Sequence, residues 1–330
     1  MKKLVSVCLV FCLAITLAAC GSATPAANID ANLSVNIMVL NGTTGFGMAK
    51  LAHDAAAGET TLNYDISIET DASNVTAALI SGSADIAALP TNAAAVVYNK
   101  TEGGVQAVAL NTRGVLYLVV NTEYETVESM ADLAGKTVYA PAQNPGFIFN
   151  YIARENGLEL EADDTFAQPA DLRTAVAAGE VNIAVLPEPM VTMALAANEK
   201  LSVALNLTEE WNKVAPVADS LVQGCVVART AWAAEHPAEL AVFLEEYGAS
   251  IAFLTEDSAA AAGYIVETGI FPQAPVAQKA IPNCNVCFVT GGEMRSEFST
   301  FLEIMFDVAP ASIGGALPGD DFYYGPGAER

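Results

Sequence analysis

One pattern of apolar and polar positions occurs twice along the chain. Residues 82–92 read GSADIAALPTN, and residues 179–189 read GEVNIAVLPEP. In each copy a glycine suited to ending a helix precedes a short apolar run, and a proline follows that run. A run this short predicts a buried β-strand, and the proline is suited to opening the next helix. The pattern therefore predicts two similar α/β units.

The segments around each copy follow the same order of strand, polar loop, helix, strand and helix. The first unit opens with a strand at 35–40 and a helix at 48–57, and the second with a strand at 137–140 and a helix at 147–155. A further strand is predicted near 165–167. Units of this length indicate two lobes and not a solenoid. We interpret two apolar segments, 115–120 and 220–228, as crossings between the lobes, and the remaining chain is predicted to be mainly helical.

Polar side chains follow the predicted strands at their carboxyl ends. In open α/β sheets this is where ligands bind, close to helix N-termini with free N–H groups. We therefore expect a solute cleft between the lobes, with Phe46 or Phe147 offering a ring for stacking. The candidate ligand-binding residues are Asn41, Thr43, Thr44, Phe46, Thr91, Asn92, Gln143, Asn144, Glu188 and Asn283.

Glu188 is the most informative of these candidates because it is the one carboxylate among them. It could cap the helix that follows, or it could accept hydrogen bonds from an amine or amidine-like N–H of the solute. Arg113, just before the first crossing, is the one basic residue near these ends, and it could bind an anion or form a salt bridge. Oxyanions favour cationic sites, so the scarcity of basic residues favours a neutral or cationic nitrogenous solute.

The N-terminus has the organisation of an export signal. Lys2 and Lys3 precede an apolar run at 4–17, which is too short to span a membrane, and the sequence LAAC then ends at Cys20. This resembles a bacterial lipoprotein box, which implies a signal peptide at 1–19, lipid on Cys20 and a flexible tether over 20–33. A plain secretory signal is the alternative. The protein is predicted to be extracytoplasmic and anchored to the bacterial membrane through its lipid.

Charge and cysteine content exclude other classes. The formal net charge of −24 argues against nucleic-acid binding, which needs basic surfaces. Cys284 and Cys287 have the spacing of a zinc-binding pair, but the sequence has no second such pair and its histidines are His53 and His236. We therefore predict no metal site and no cofactor. Whether Cys284 and Cys287 pair as a disulfide is left open.

Several stretches together resemble a known family. They are DIAALPTN at 85–92, DLAGKTV at 132–138, IAVLPEP at 183–189, and two shorter segments at 280–285 and 313–315. They are similar to extracytoplasmic solute-binding lipoproteins of ABC importers, in the branch that includes nitrate, sulfonate, taurine and thiamine-precursor binding proteins. The resemblance implies an α/β, two-lobe type II periplasmic-binding-protein fold with two hinge crossings. Lobe one is predicted over 34–118 and 222–330, and lobe two over 119–221.

The resemblance also implies a function and partners. We expect non-catalytic, high-affinity capture of a small solute, pyrimidine-like in our interpretation, and its delivery to an ABC importer permease by a monomer. One alternative is a lipid-anchored solute sensor for a signalling protein. A second is an enzyme resembling pyrimidine-precursor synthases, which use histidine and iron. Neither His53 nor His236 follows a predicted strand, so the sequence favours a protein that is not an enzyme.

Overall fold

The computed structural model describes residues 29–30 and 32–325. The predicted signal peptide, Cys20 and most of the predicted tether lie outside these residues. Within the described residues the strands are β1 (Ser34–Leu40), β2 (Asn63–Glu69), β3 (Ile86–Pro90), β4 (Val105–Arg113), β5 (Leu116–Asn121), β6 (Ile183–Pro187), β7 (Leu201–Asn206), β8 (Val222–Arg229) and β9 (Val286–Val289).

The α-helices of the same residues alternate with these strands and then fill the last third of the chain. They are α1 (Thr43–Phe46), α2 (Ala49–Ala57), α3 (Ala72–Ser81), α4 (Thr91–Lys100), α5 (Asn144–Glu155), α6 (Pro169–Ala178), α7 (Met190–Ala197), α8 (Leu207–Val214), α9 (Thr230–Glu235), α10 (Pro237–Glu256), α11 (Ser258–Glu267), α12 (Ala274–Ala280) and α13 (Gly291–Val308). Short 3-10 helices occur at Met130–Leu133, Ile281–Asn283, Pro310–Ile313 and Asp320–Phe322.

The strands form two sheets, and the two-lobe α/β prediction is confirmed. A six-stranded sheet has the order β2-β1-β3-β8-β4-β9, and a three-stranded sheet has the order β6-β5-β7. We call the six-stranded sheet with its helices lobe one, and the three-stranded sheet with its helices lobe two. β1 lies parallel to β2 and β3, whereas β8 lies antiparallel to β3 and β4. The parallel part requires helical crossovers, which α2 and α3 provide.

The repeated motif folds as its residues predict. Gly82 and Gly179 end α3 and α6 with φ of 78° and 77°, a left-handed conformation that glycine adopts at little cost. The apolar runs that follow are β3 and β6, in which the four residues before the proline are all buried. Asp85, just before β3, accepts hydrogen bonds from the Asn36 backbone and side chain, both at 3.0 Å, and pairs with Arg229 at 2.7 Å. This acidic residue of the motif therefore joins three strands of lobe one.

The predicted strands at 137–140 and 165–167 are absent from the second unit, because one residue of the first segment and none of the second forms a β-bridge. Tyr139 bridges Asp163 and Ala184, and it is the only residue of 137–140 that pairs. Pro141 follows closely and has no N–H to continue a ladder. In the other segment the Thr165 backbone N–H donates to the Asp163 carboxylate at 2.9 Å, a local turn that competes with sheet pairing. The second unit is thus a reduced copy of the first.

The lobes are joined by two chain crossings and by a shared apolar core. Gly114 and Val115 connect β4 of lobe one to β5 of lobe two, and residues 215–221 lead from α8 back to β8. Trp211 of α8 is fully buried between Tyr151 of α5 and Phe301 of α13, with ring centroids 4.8 and 6.0 Å away. Helix α13 therefore packs against both lobes. In the described part of the chain, no helix has the length and apolarity that crossing a membrane requires.

Candidate functional site

Glu188 lies at the carboxyl end of β6, where lobe two meets lobe one. Its side chain is buried, with 3% of the residue exposed. The Thr192 backbone N–H donates to Oε2 and the Thr192 hydroxyl donates to Oε1, both at 3.0 Å. The carboxylate therefore caps the first turn of α7, which is one of the two roles that the sequence left open. A carboxylate has about four lone-pair sites, so these two bonds leave acceptor capacity for a second role.

Lobe one approaches this carboxylate through the 3-10 helix Ile281–Asn283. The Tyr117 hydroxyl, on β5, donates to the Asn283 backbone carbonyl at 2.8 Å. The exposed Asn283 side chain also interacts with Glu188, and this interaction lowers the pKa of the carboxyl group. Asn283 is thus held by Tyr117 and Glu188 of the opposite lobe. Glu188 and Asn283 form a polar cluster, the Glu188 cluster, at the boundary between the two lobes, which we call the seam.

Burial dominates the electrostatics of this cluster. It raises the pKa of Glu188, against the lowering effects of Thr192, Asn283 and the nearby Lys279. The pKa values of Tyr117 and Cys284 are also raised, by burial and then by the Glu188 charge. Among residues 29–30 and 32–325, no basic side chain lies within 4 Å of the Glu188 carboxylate. Its negative charge is balanced only at longer range, by Lys279. Such a site favours a neutral N–H donor or a cation.

We expect the raised pKa of Glu188 to make stability depend on pH with a definite sign. The folded state binds this proton more tightly than the unfolded state, so its contribution to the free energy of unfolding increases as pH falls from neutrality towards the ordinary value of 4.5. Urea denaturation at several pH values would compare the protein with Glu188→Gln. The wild type should gain stability relative to the variant over that interval, and a constant difference would contradict the assignment.

A second interlobe contact joins α4 to α5. The Asn144 side-chain amide donates to Oδ1 of Asn92 at 2.9 Å, and Nδ2 of Asn92 donates to the Ser312 backbone carbonyl at 3.4 Å. Oδ1 of Asn144 is buried and has no hydrogen-bond partner among the described residues. Gln143, at the start of α5, is exposed. Two of the predicted site residues, from opposite lobes, therefore contact each other directly.

The remaining candidates of lobe one occupy less accessible or separate positions. Thr91 is fully buried, and its hydroxyl donates to the Val222 carbonyl at 2.8 Å, so it ties α4 to the returning strand β8. Phe46 is also fully buried, with its ring edge-on to Phe271 at 6.3 Å inside an apolar cluster. Asn41 is exposed, whereas Thr43 and Thr44 are partly buried. Phe46 is a core residue in this structure, and its ring offers no free face for stacking.

Arg113 forms ion pairs with acidic residues of α13 and is therefore not free to bind an anion. Its guanidinium pairs with Glu297 at 2.6 Å and with Glu293 at 3.2 Å, both on α13. Glu297 is itself buried, with 6% of its side chain exposed. Of the two roles that the sequence left open for Arg113, the salt bridge is the one that forms. The ion pair fastens α13 beside the first crossing.

Sequence reasoning missed two polar residues at the seam, Tyr117 and Thr192, and the buried Asn111 of lobe one. Tyr117 and Thr192 contact the Glu188 cluster, and the fully buried Asn111 donates to the Thr44 carbonyl and to the Tyr247 hydroxyl, both at 3.0 Å. Each could have been noticed as a polar side chain inside an otherwise apolar stretch.

The histidines lie away from the Glu188 cluster, whereas Cys284 follows Asn283 and lies near it. His53 stacks on Tyr264 in α11 at 3.9 Å, and His236 precedes α10. Cys225, Cys284 and Cys287 are free thiols, and their pKa values are raised by burial. Within the described ranges, no group of three or more histidine, cysteine or acidic side chains is placed to hold a metal ion.

Comparison with protein families gives one match over more than half of the chain. A family model described as NMT1/THI5 like matches residues 59–261. A comparison with curated proteins finds no match.

Comparison with solved structures finds the same fold in proteins of low sequence identity. An ABC transporter protein from Parabacteroides distasonis is 23% identical with a TM-score of 0.74, over 89% of this chain and 99% of its own. The periplasmic aliphatic sulphonate binding protein SsuA from Escherichia coli is 16% identical with a TM-score of 0.67, over 86% and 95%. A Candida albicans gene product with the generic periplasmic binding protein structural fold is 12% identical with a TM-score of 0.54, over 88% and 93%. The predicted periplasmic-binding-protein fold is thereby confirmed.

Proposed function

The chain belongs to the NMT1/THI5-like family, and from this premise we propose that it captures a small solute between its two lobes without transforming it. The solute would then pass to the permease of an ABC importer. Structures with this fold include an ABC transporter protein and a sulphonate binding protein, which supports a role in solute capture. The observation that carries the proposal is the meeting of polar groups from both lobes at the ends of β3 and β6.

The proposed site consists of two interlobe contacts and the space they border. Asn92 and Asn144 form one contact, and Glu188 with Asn283 forms the other. Because each contact joins the lobes, separating the lobes would free all four side chains for a solute. Gln143, Asn41, Thr43 and Thr44 belong to the same proposed set through their positions after strands or before helices. A few hydrogen bonds of this kind, each contributing about 1 kcal/mol, would combine with shape and burial to give specificity.

The solute class follows from the charge at the seam. Glu188 is a buried carboxylate without a contacting cation among the described residues, and Arg113 is committed to Glu293 and Glu297. An anion would meet a negative charge that no contacting cation balances, whereas an N–H donor would find an acceptor. We therefore propose a neutral or cationic nitrogenous solute, for which a pyrimidine with an exocyclic amine is a suitable example.

The location and state of the protein are proposed on the sequence of its N-terminus. The LAAC segment supports lipid attachment at Cys20, an extracytoplasmic position and anchoring to the bacterial membrane. The folded part is proposed to act as a monomer. A catalytic role is disfavoured because His53 and His236 are engaged away from the Glu188 cluster. Nothing in the proposed role requires a cofactor or a nucleic acid.

A thermal-shift screen tests the proposal. The purified protein would be scanned with aminopyrimidines, amines, amino acids and sulfonates, because a ligand that binds only the folded state raises the melting temperature. Compounds with a free N–H donor should raise it, and Glu188→Gln should remove at least nine-tenths of the response at fixed concentration. Glu239→Gln is the matched control, since Glu239 is another buried carboxylate, bonded to the backbone of Asp30.

The outcomes separate the general proposal from the solute class. A response limited to sulfonates or other oxyanions, unchanged in Glu188→Gln, would contradict the nitrogenous class but retain solute capture. Turnover of a responding compound into a new product would contradict the non-catalytic role.

A further inference from the structure

A groove of about 600 Å³ runs along the outside of lobe one from the seam between the lobes. Its long walls are one face of α3 and one face of α4, and residues 309–312 form a third side. Gln143 and Phe147 of α5 contribute from lobe two. We call this feature the seam groove. Its volume lies within the range of small-molecule sites, and its lining combines residues of both lobes.

The groove is polar at one end and apolar beyond it. Helices α3 and α4 follow the parallel strands β2 and β3, so both start at the seam and run away from it in the same direction. Ser73 and Asn92 therefore lie at the seam end, near Gln143. Val96 and Ile80 lie further along, and Ile80 is 51% exposed, which is high for a large apolar side chain.

The far end of the groove carries its single charge. Lys100 is the one charged residue among those that line the groove, and it is exposed. It forms no ion pair with any residue that the structure describes, although the chain has a net charge of −24. Asn92 and Lys100 lie eight residues apart on the same face of α4, which corresponds to about 12 Å at 1.5 Å per residue. An unpaired cation in this acidic protein provides complementarity for an anionic group.

We propose that the seam groove is a second ligand site, separate from the solute cleft, which binds an elongated amphipathic organic anion. Its carboxylate pairs with Lys100, its apolar body covers Ile80 and Val96, and a hydroxyl or amide at its other end bonds to Ser73. Because lobe two supplies Gln143 and Phe147, the ligand contacts both lobes and favours their closed arrangement. Its binding is therefore coupled to solute capture, and each ligand strengthens the binding of the other.

Isothermal titration calorimetry of the full chain with 10-hydroxydecanoate tests this site. The probe carries a hydroxyl and a carboxylate at opposite ends of an apolar chain, and decane-1,10-diol is its uncharged match. We expect one site per chain for the hydroxydecanoate, and Lys100→Gln should weaken it about threefold to fivefold, as for an exposed ion pair. Ile80→Asp should weaken it at least as much, because the new carboxylate replaces apolar contact with like charge.

Two variants at other positions serve as controls. Lys200→Gln removes an exposed lysine that pairs with Glu123, and Leu317→Asp charges an exposed apolar side chain outside the groove. Neither should change the affinity for 10-hydroxydecanoate by more than about twofold. Glu188→Gln should weaken it much less than Lys100→Gln does, which separates this site from the solute cleft.

Three results would overturn the proposal. One is equal affinity for the diol and the hydroxydecanoate. Another is unchanged binding in Lys100→Gln and Ile80→Asp, in which case Lys100 would only stabilise the C-terminal end of α4. The third is loss of binding in Glu188→Gln, which would place the probe in the solute cleft and leave the proposed solute capture standing.

Discussion

Trp211→Ala is expected to lower the free energy of unfolding by about 3–5 kcal/mol, the range for removing a fully buried large aromatic side chain. The ring lies between Tyr151 of lobe two and Phe301 of α13, so the cavity would open where the lobes share a core. The indole N–H also donates to the buried Ser220 hydroxyl at 2.9 Å, and the variant leaves that oxygen without this donor. Both effects act in the same direction.

Urea denaturation followed by circular dichroism would measure this loss. Trp211→Phe is the matched control, since it keeps an aromatic ring in place and removes the N–H and part of the volume. It should cost clearly less than Trp211→Ala. If Trp211→Ala cost under 1 kcal/mol, or if Trp211→Phe were equally destabilising, the apolar contact between α8, α5 and α13 would not hold the lobes together as described.

The sequence specified the fold closely in lobe one and less closely in lobe two. In lobe one, apolar runs bounded by glycine and proline were long enough to identify strands, and β1 and β3 lie where the pattern predicts. The same reasoning was wrong at 137–140 and 165–167. At 137–140 Tyr139 alone pairs and Pro141 has no N–H to extend the strand, and before 165–167 the Asp163 carboxylate forms a local turn with Thr165. A pattern of apolar positions reveals neither feature.

The sequence predicted where the candidate site lies, at the ends of strands, but not which side chains contact each other there. The positions after β3 and β6 were identified because a buried strand followed by proline marks them, and the structure brings Asn92 and Glu188 into interlobe contacts. What the sequence could not specify is the partner of each side chain. Thr91 bonds across to Val222, and Phe46 packs inwards, because α1 and α4 turn those faces to the core. Partners such as Tyr117 come from distant segments that local patterns do not connect.

Gly114→Ala is expected to lower the free energy of unfolding by about 2–3 kcal/mol, the upper part of the range for overpacking. Gly114 lies at the crossing from β4 to β5, and an added Cβ would lie 2.2 Å from the Thr208 hydroxyl oxygen and 2.7 Å from a Leu221 methyl carbon. Thr208 donates to the Gly114 carbonyl at 3.1 Å, and Asn285 donates to it as well. The Thr208 bond holds its hydroxyl beside the glycine, so relieving the contact means breaking that bond.

A double-mutant cycle with Thr208→Ala identifies the cause. In the wild-type background this change loses one hydrogen bond and should cost about 1 kcal/mol, but in Gly114→Ala it also removes the closest clash and should restore part of the lost stability. Gly263→Ala, within α11 and with no atom within 4 Å of the added carbon, should be neutral or stabilising by up to about 1 kcal/mol. If the losses in the free energy of unfolding from Gly114→Ala and Thr208→Ala simply added, the added Cβ would not clash with Thr208. The crossing would then accommodate a side chain, and its glycine would not be required for the lobes to join.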